Sequence, residues 1–72
     1  MTETTAIRVT LNGSARTLAA GESVAGLLRE LEVHPGLVVV ERNGEILRRE
    51  SYPDVRVEDG DTLELVHFVG GG

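Results

Sequence analysis

Apolar residues recur along the chain with two different periods. Ile7, Val9 and Leu11 alternate with Arg8, Thr10 and Asn12, the period of a strand with one buried face. Asn12-Gly13 follows at once. Both central residues of a two-residue hairpin turn need positive φ, which asparagine and glycine tolerate, so residues 15–19 are expected to return as a second strand. Val24, Leu27, Leu28 and Leu31 then fall at i, i+3, i+4 and i+7, one face of a helix, with Ser23 placed to cap it. Gly26 inside that helix costs up to about 1 kcal/mol relative to alanine, which points to close packing against a sheet. His34-Pro35-Gly36 stops the helix.

Residues 37–42 are rich in valine and read as a buried strand. A second turn signal, Asn43-Gly44, precedes the short apolar pair Ile46-Leu47. Residues 48–53 are polar and irregular, with Tyr52 as their apolar anchor. Val55 and Val57 lead into the acidic turn Glu58-Asp59-Gly60-Asp61, and residues 62–69 read as the last strand. Leu63 and Leu65 share the parity expected to face the core; Glu64, Val66 and Phe68 share the other. Two apolar side chains on an outward face form a candidate partner-binding patch, which Val39 would extend. The economical architecture is α+β: a mixed sheet of four to five strands with one main helix packed across it. The connection through the helix is long enough for a crossover that sets a later strand parallel to an early one. One domain is expected over residues 1–69, followed by a flexible tail at residues 70–72.

Composition narrows the chemistry. The 72 residues include twelve acidic and seven basic side chains, for a formal net charge of −5, and all seven basic residues are arginine. That balance argues against a nucleic-acid binder, which would show a basic stripe, and favours partners that present basic surfaces. Without cysteine there is no thiol nucleophile and no zinc–thiolate site. The first five residues lack the basic and apolar regions of a signal peptide, and the longest aliphatic run is four residues, too short to cross a membrane. A small cytoplasmic domain with neither a membrane nor a nucleic-acid partner is expected. The carboxylates of Asp59 and Asp61 read as a reverse turn rather than a metal site, and no bound metal is expected. His34 reads as loop, His67 as a surface or packing residue, and Arg48-Arg49 as a solvated face.

The β-β-α-β-β order with a terminal Gly-Gly resembles the ubiquitin-like β-grasp fold. The stretches Val38-Val39-Val40-Glu41-Arg42-Asn43-Gly44, Asp59-Gly60-Asp61 and Val66-His67-Phe68-Val69-Gly70-Gly71-Gly72 resemble the sulfur carriers of thiamine biosynthesis, the ThiS family. The molybdopterin-synthase small subunit shares the fold and the glycine end, but its relatives usually carry prolines where this chain has His67-Phe68-Val69. The resemblance implies a protein co-substrate rather than an enzyme. Gly72 would carry sulfur as a C-terminal thiocarboxylate, with Gly70 and Gly71 threading the tail into a partner. No cofactor would be bound; ATP would be used by a ubiquitin-activating-like adenylyltransferase (ThiF-like) that activates the carboxylate. Sulfur would arrive by a relay from a cysteine desulfurase and pass to thiazole synthase (ThiG-like). Other acceptors compatible with the same chemistry are molybdopterin, tRNA, a cysteine precursor or, for a protein modifier, a target lysine. Glycine suits a threaded tail because, lacking Cβ, it fits a narrow tunnel and adopts φ values closed to other residues. Ordering three such residues costs on the order of 3–6 kcal/mol, so the folded body is expected to supply a docking face.

Overall fold

The computed structural model describes residues 5–68. The expected boundary at residue 69 and the tail at residues 70–72 lie outside that range. Five strands form: β1 (Ala6–Leu11), β2 (Ser14–Ala19), β3 (Val38–Arg42), β4 (Glu45–Ile46) and β5 (Thr62–His67). One helix, α1 (Val24–Glu30), follows β2, and single 3-10 turns cover Pro35–Leu37 and Arg49–Ser51. The sheet order is β2-β1-β5-β3-β4. β1 pairs in parallel with β5, and every other neighbouring pair is antiparallel. β3 therefore runs parallel to β2, so the connection through α1 carries the chain across the sheet, as its length had suggested.

Local chemistry sets each corner. Asn12 and Gly13 take φ of 49° and 84°, and Asn43 and Gly44 take 52° and 88°. These are the paired left-handed residues of a turn whose twist matches the flanking strands. Ser23 caps α1, its Oγ accepting the Gly26 N–H at 3.0 Å. The helix closes at Glu30, ahead of His34-Pro35-Gly36. Glu32, with φ of 59°, takes the left-handed position that glycine usually fills. The Glu32 N–H donates to Arg29 O at 3.1 Å and the Val33 N–H to Leu28 O at 2.9 Å, which satisfies two carbonyls of the last turn.

The core lies between one sheet face and α1. Val24, Leu27 and Leu28 from the helix meet Ile7, Val9, Leu18, Val38, Val40 and Leu63 from the strands, with Tyr52 and Val57 closing the side. Tyr52 is the anchor its sequence context suggested, 2% exposed, with its hydroxyl donating to Val38 O at 3.4 Å. The 55–57 segment runs beside the start of α1: Val24 N–H donates to Val55 O and Val57 N–H to Glu22 O.

Three expectations are corrected. Gly26 does not make room for the sheet; a Cβ there would meet the Glu22 carboxylate at 2.9 Å and Ser23 Oγ at 3.3 Å. Its smallness lets Glu22 lie over the first helical turn. Leu37 belongs to the 3-10 turn started by Pro35, not to a buried strand, and is 44% exposed. β5 ends at His67 rather than at residue 69, which lies outside the described range.

Candidate partner-docking face

The face of the sheet turned away from α1 carries the expected patch. Val39 and Val66 are direct register partners on β3 and β5. One step further, the Phe68 N–H donates to Leu37 O at 2.8 Å, which continues the ladder past the end of β5. Val66 is 54% exposed, Phe68 51%, and Val39 half-buried between its neighbours. The three residues that sequence parity grouped do share one face, and the structure sets two more apolar side chains beside them. Leu37 lies opposite Phe68, and Ile46, 71% exposed, is the register partner of Glu41. Ile46 was legible in principle, because a two-residue turn at Asn43-Gly44 obliges residues 41 and 46 to pair on one face. Leu37 was hidden by its apparent continuity with the valines. Glu41 and Glu64, also register partners, set two carboxylates beside this apolar surface.

The strand that leads to the glycines is clamped from both sides by side chains of the two turns. Asn12 Oδ1 accepts the Leu65 N–H at 2.8 Å, and its Nδ2 donates to Leu65 O at 3.4 Å. The side chain thereby extends a parallel β1–β5 ladder that has only two backbone register pairs. On the other side, Asn43 Oδ1 accepts the Thr62 N–H at 2.8 Å while its Nδ2 donates to Asp61 Oδ1 at 3.0 Å. Asp61 also accepts from Arg42 Nε and from the Glu58 N–H, each at 2.8 Å. Burial of the Asp61 carboxyl would raise its pKa. The Glu58 N–H, the Asn43 amide and the Arg42 guanidinium outweigh that and hold it below the ordinary carboxylate value. The acidic turn therefore serves as a structural hub, with Asp61 buried and Asp59 accepting the Arg8 N–H at 2.8 Å.

Other candidates separate from the patch. His34 Nδ1 accepts the Gly36 N–H at 2.9 Å, a loop contact that caps the Pro35 turn. His67 is exposed opposite Val38. Arg48 pairs with Glu50 at 3.3 Å on the surface. Gly70, Gly71 and Gly72 lie outside the described residues. Among those described, no three His, Asp or Glu side chains converge as metal ligands, and no helix is long and apolar enough to cross a membrane.

Comparison with known proteins places this geometry. The model of the ThiS family matches residues 9–72. A region of the thiazole synthase of Paramagnetospirillum magneticum is 47% identical over 66 residues, which are 92% of this chain and 20% of that protein. The chain thus spans a fifth of the length of that relative. The sulfur carrier protein ThiS of Bacillus subtilis is 44% identical over 50 residues, covering 69% of this chain and 76% of that one. The crystal structure of the thiamine biosynthesis protein ThiS from Geobacter metallireducens superposes with a TM-score of 0.79. It is 40% identical, covering 92% of this chain and all of that one. An N-terminal ubiquitin-like domain at 20% identity and TM-score 0.56 shares the fold alone. The five-stranded sheet crossed by one helix is a ubiquitin-like β-grasp, and the chain that forms it belongs to the ThiS family.

Proposed function

We propose that this chain is a sulfur carrier for thiazole formation in thiamine biosynthesis, a protein co-substrate acted on by enzymes that hold the active sites. The observation that supports this most directly is the family match through residue 72, joined to an exposed apolar face on the strand that precedes the glycines. The Gly72 carboxylate is the reactive group. A carboxylate is a poor electrophile, so it first attacks the α-phosphorus of ATP on an adenylyltransferase and pyrophosphate leaves. The outer sulfur of a persulfide supplied by a desulfurase relay then displaces AMP to form an acyl disulfide. A thiol attacks the donor-side sulfur of that bond, so that the thiocarboxylate leaves and a disulfide remains on the donor. Gly70 and Gly71 lie in the partner's cleft, while Val39, Val66 and Phe68 dock the body against its surface.

Thiazole synthase is the favoured acceptor. Two proteins of that name, from Paramagnetospirillum magneticum and Magnetococcus marinus, contain a region 47% and 39% identical to this chain. Such a pairing within one polypeptide is what a carrier and its consumer would gain from, because linkage raises their effective concentration.

Intact-mass spectrometry tests the reading. After incubation with the adenylyltransferase, ATP, a persulfide donor and a thiol reductant, the chain should gain the mass of one oxygen replaced by one sulfur. Deleting Gly72 should abolish that gain and leave the fold intact. An unchanged mass with an activating enzyme shown to be competent would reduce the chain to a ubiquitin-like interaction module.

A further inference from the structure

We infer that the outer edge of β2 is a second docking site, which takes an extended acidic segment of a partner protein as an added strand. β2 is the terminal strand of the sheet beyond β1. The hydrogen-bonded pairs of an antiparallel ladder alternate, and the Ala20 N–H donating to Thr5 O at 2.8 Å sets the phase. Ile7 therefore exchanges bonds with Leu18, Val9 with Arg16, and Leu11 with Ser14. The other side of β1 agrees, since Thr10 and Asn12 donate towards β5, to Asp61 O and Leu63 O. It follows that the N–H and C=O of Ala15 and of Thr17 point away from the sheet. No partner for these four groups occurs among the described residues. An edge of this kind is a template for another strand unless it is short, covered or broken by proline, and a single charge on it restricts which strand can pair there. β2 spans six residues, contains no proline, and exposes the small side chains of Ser14, Ala15, Thr17 and Ala19. The opposite edge, β4, has only two residues.

Charge selects the occupant. Arg16 is the single charged residue of β2, and the ion pairs among the described residues involve Arg42 and Arg48 instead. A second copy of the chain fits poorly. The two-fold register that uses all four backbone groups sets Ala15 opposite Thr17 of the other copy and puts the two Arg16 side chains face to face. Like charges directly opposite are destabilising. A strand with Asp or Glu at that position, flanked by bulky residues over Ala15 and Thr17, satisfies both the ladder and the arginine. Such an edge complex leaves the face of Val39, Val66 and Phe68 uncovered, so it does not depend on the sulfur-carrier reading.

The probe is a capped extended peptide, Thr-Val-Glu-Val-Thr, titrated into the isotope-labelled chain and followed by amide NMR shifts and hydrogen exchange. The largest shifts and slowed exchange are expected at the Ala15 and Thr17 amides. A peptide with lysine in place of glutamate should bind about fivefold more weakly, and Arg16→Glu should invert that preference. Thr17→Pro, at a position that gives β1 no hydrogen bond, should remove binding; if that variant does not fold, the Arg16→Glu exchange still decides. Equal affinity for the two peptides, or shifts confined to β3 and β5, overturns the proposal. So does a concentration-dependent shift at residues 14–19 without peptide, which would assign the edge to a second copy.

Discussion

Among the described residues, Asp61 joins the most partners through one side chain. Its two oxygens hold the Arg42 guanidinium, the Asn43 amide and the Glu58 N–H, so one carboxylate ties the acidic turn to the turn between β3 and β4. Asp61→Asn keeps the shape but loses the charge and brings an N–H₂ against groups that already donate. It should destabilise the chain by about 3 kcal/mol in chemical denaturation at neutral pH. The pH dependence has a definite sign. The folded carboxyl titrates below its ordinary 3.8, so the stabilisation is present above that value and is lost as pH falls through the lower folded value. The gap between the native chain and the Asp61→Asn variant should therefore narrow below about pH 4. A constant gap down to pH 2 would contradict the hub.

At the scale of elements, what was legible in the sequence is what depends on short-range periodicity. The alternation of Ile7, Val9 and Leu11, both Asn-Gly turns, the Ser23 cap and the parity of Leu63 against Val66 each follow from side chains within a few residues. The misreadings arose where distant or backbone contacts decide. Leu37 looked like part of a valine strand, but Pro35 cannot donate to a ladder and starts a 3-10 turn instead. Gly26 looked like a contact with the sheet, but its neighbour is Glu22, one turn back. Within the site, Val39, Val66 and Phe68 followed from parity, while Leu37 and Ile46 became visible only with the strand register. The end of α1 was hidden for a related reason: glutamate at a left-handed position carries no composition signal. That position also yields a prediction. Glu32→Gly relieves the Cβ penalty at φ of 59° and should raise stability by about 0.5–1 kcal/mol, measurable as a higher denaturation midpoint with an unchanged m-value. A loss of stability would mean that the Glu32 side chain contributes contacts that outweigh the strain.

For the whole molecule, the core and the proposed docking patch lie on opposite faces of one sheet and should respond separately to mutation. Phe68 is half-exposed and lies beyond the core cluster. Phe68→Ala should change unfolding free energy by no more than about 0.5 kcal/mol while weakening association with the adenylyltransferase by about 1–2 kcal/mol. Unchanged folding together with unchanged association would remove the patch from the docking surface. Net charge acts on the same encounter from further away. At −5, the chain should associate with a basic partner surface more slowly as salt rises, with the dissociation rate less affected.

The parallel pairing of β1 with β5 joins the first strand of the chain to the last, with β5 between β1 and β3 at the centre of the sheet. On a ribosome, where synthesis proceeds from the N-terminus, the β1–β2 hairpin and α1 emerge early but have no completed sheet to cover. Leu63, fully buried, fills the middle of the core, and it is synthesised after every other residue of the buried cluster. Closure of the sheet is therefore a late and long-range step, of the kind that slows folding. Maturation has a built-in order as a result: the strand that completes the domain is the one on which the glycines follow, so an unfinished or misfolded copy lacks the assembled face that would present them.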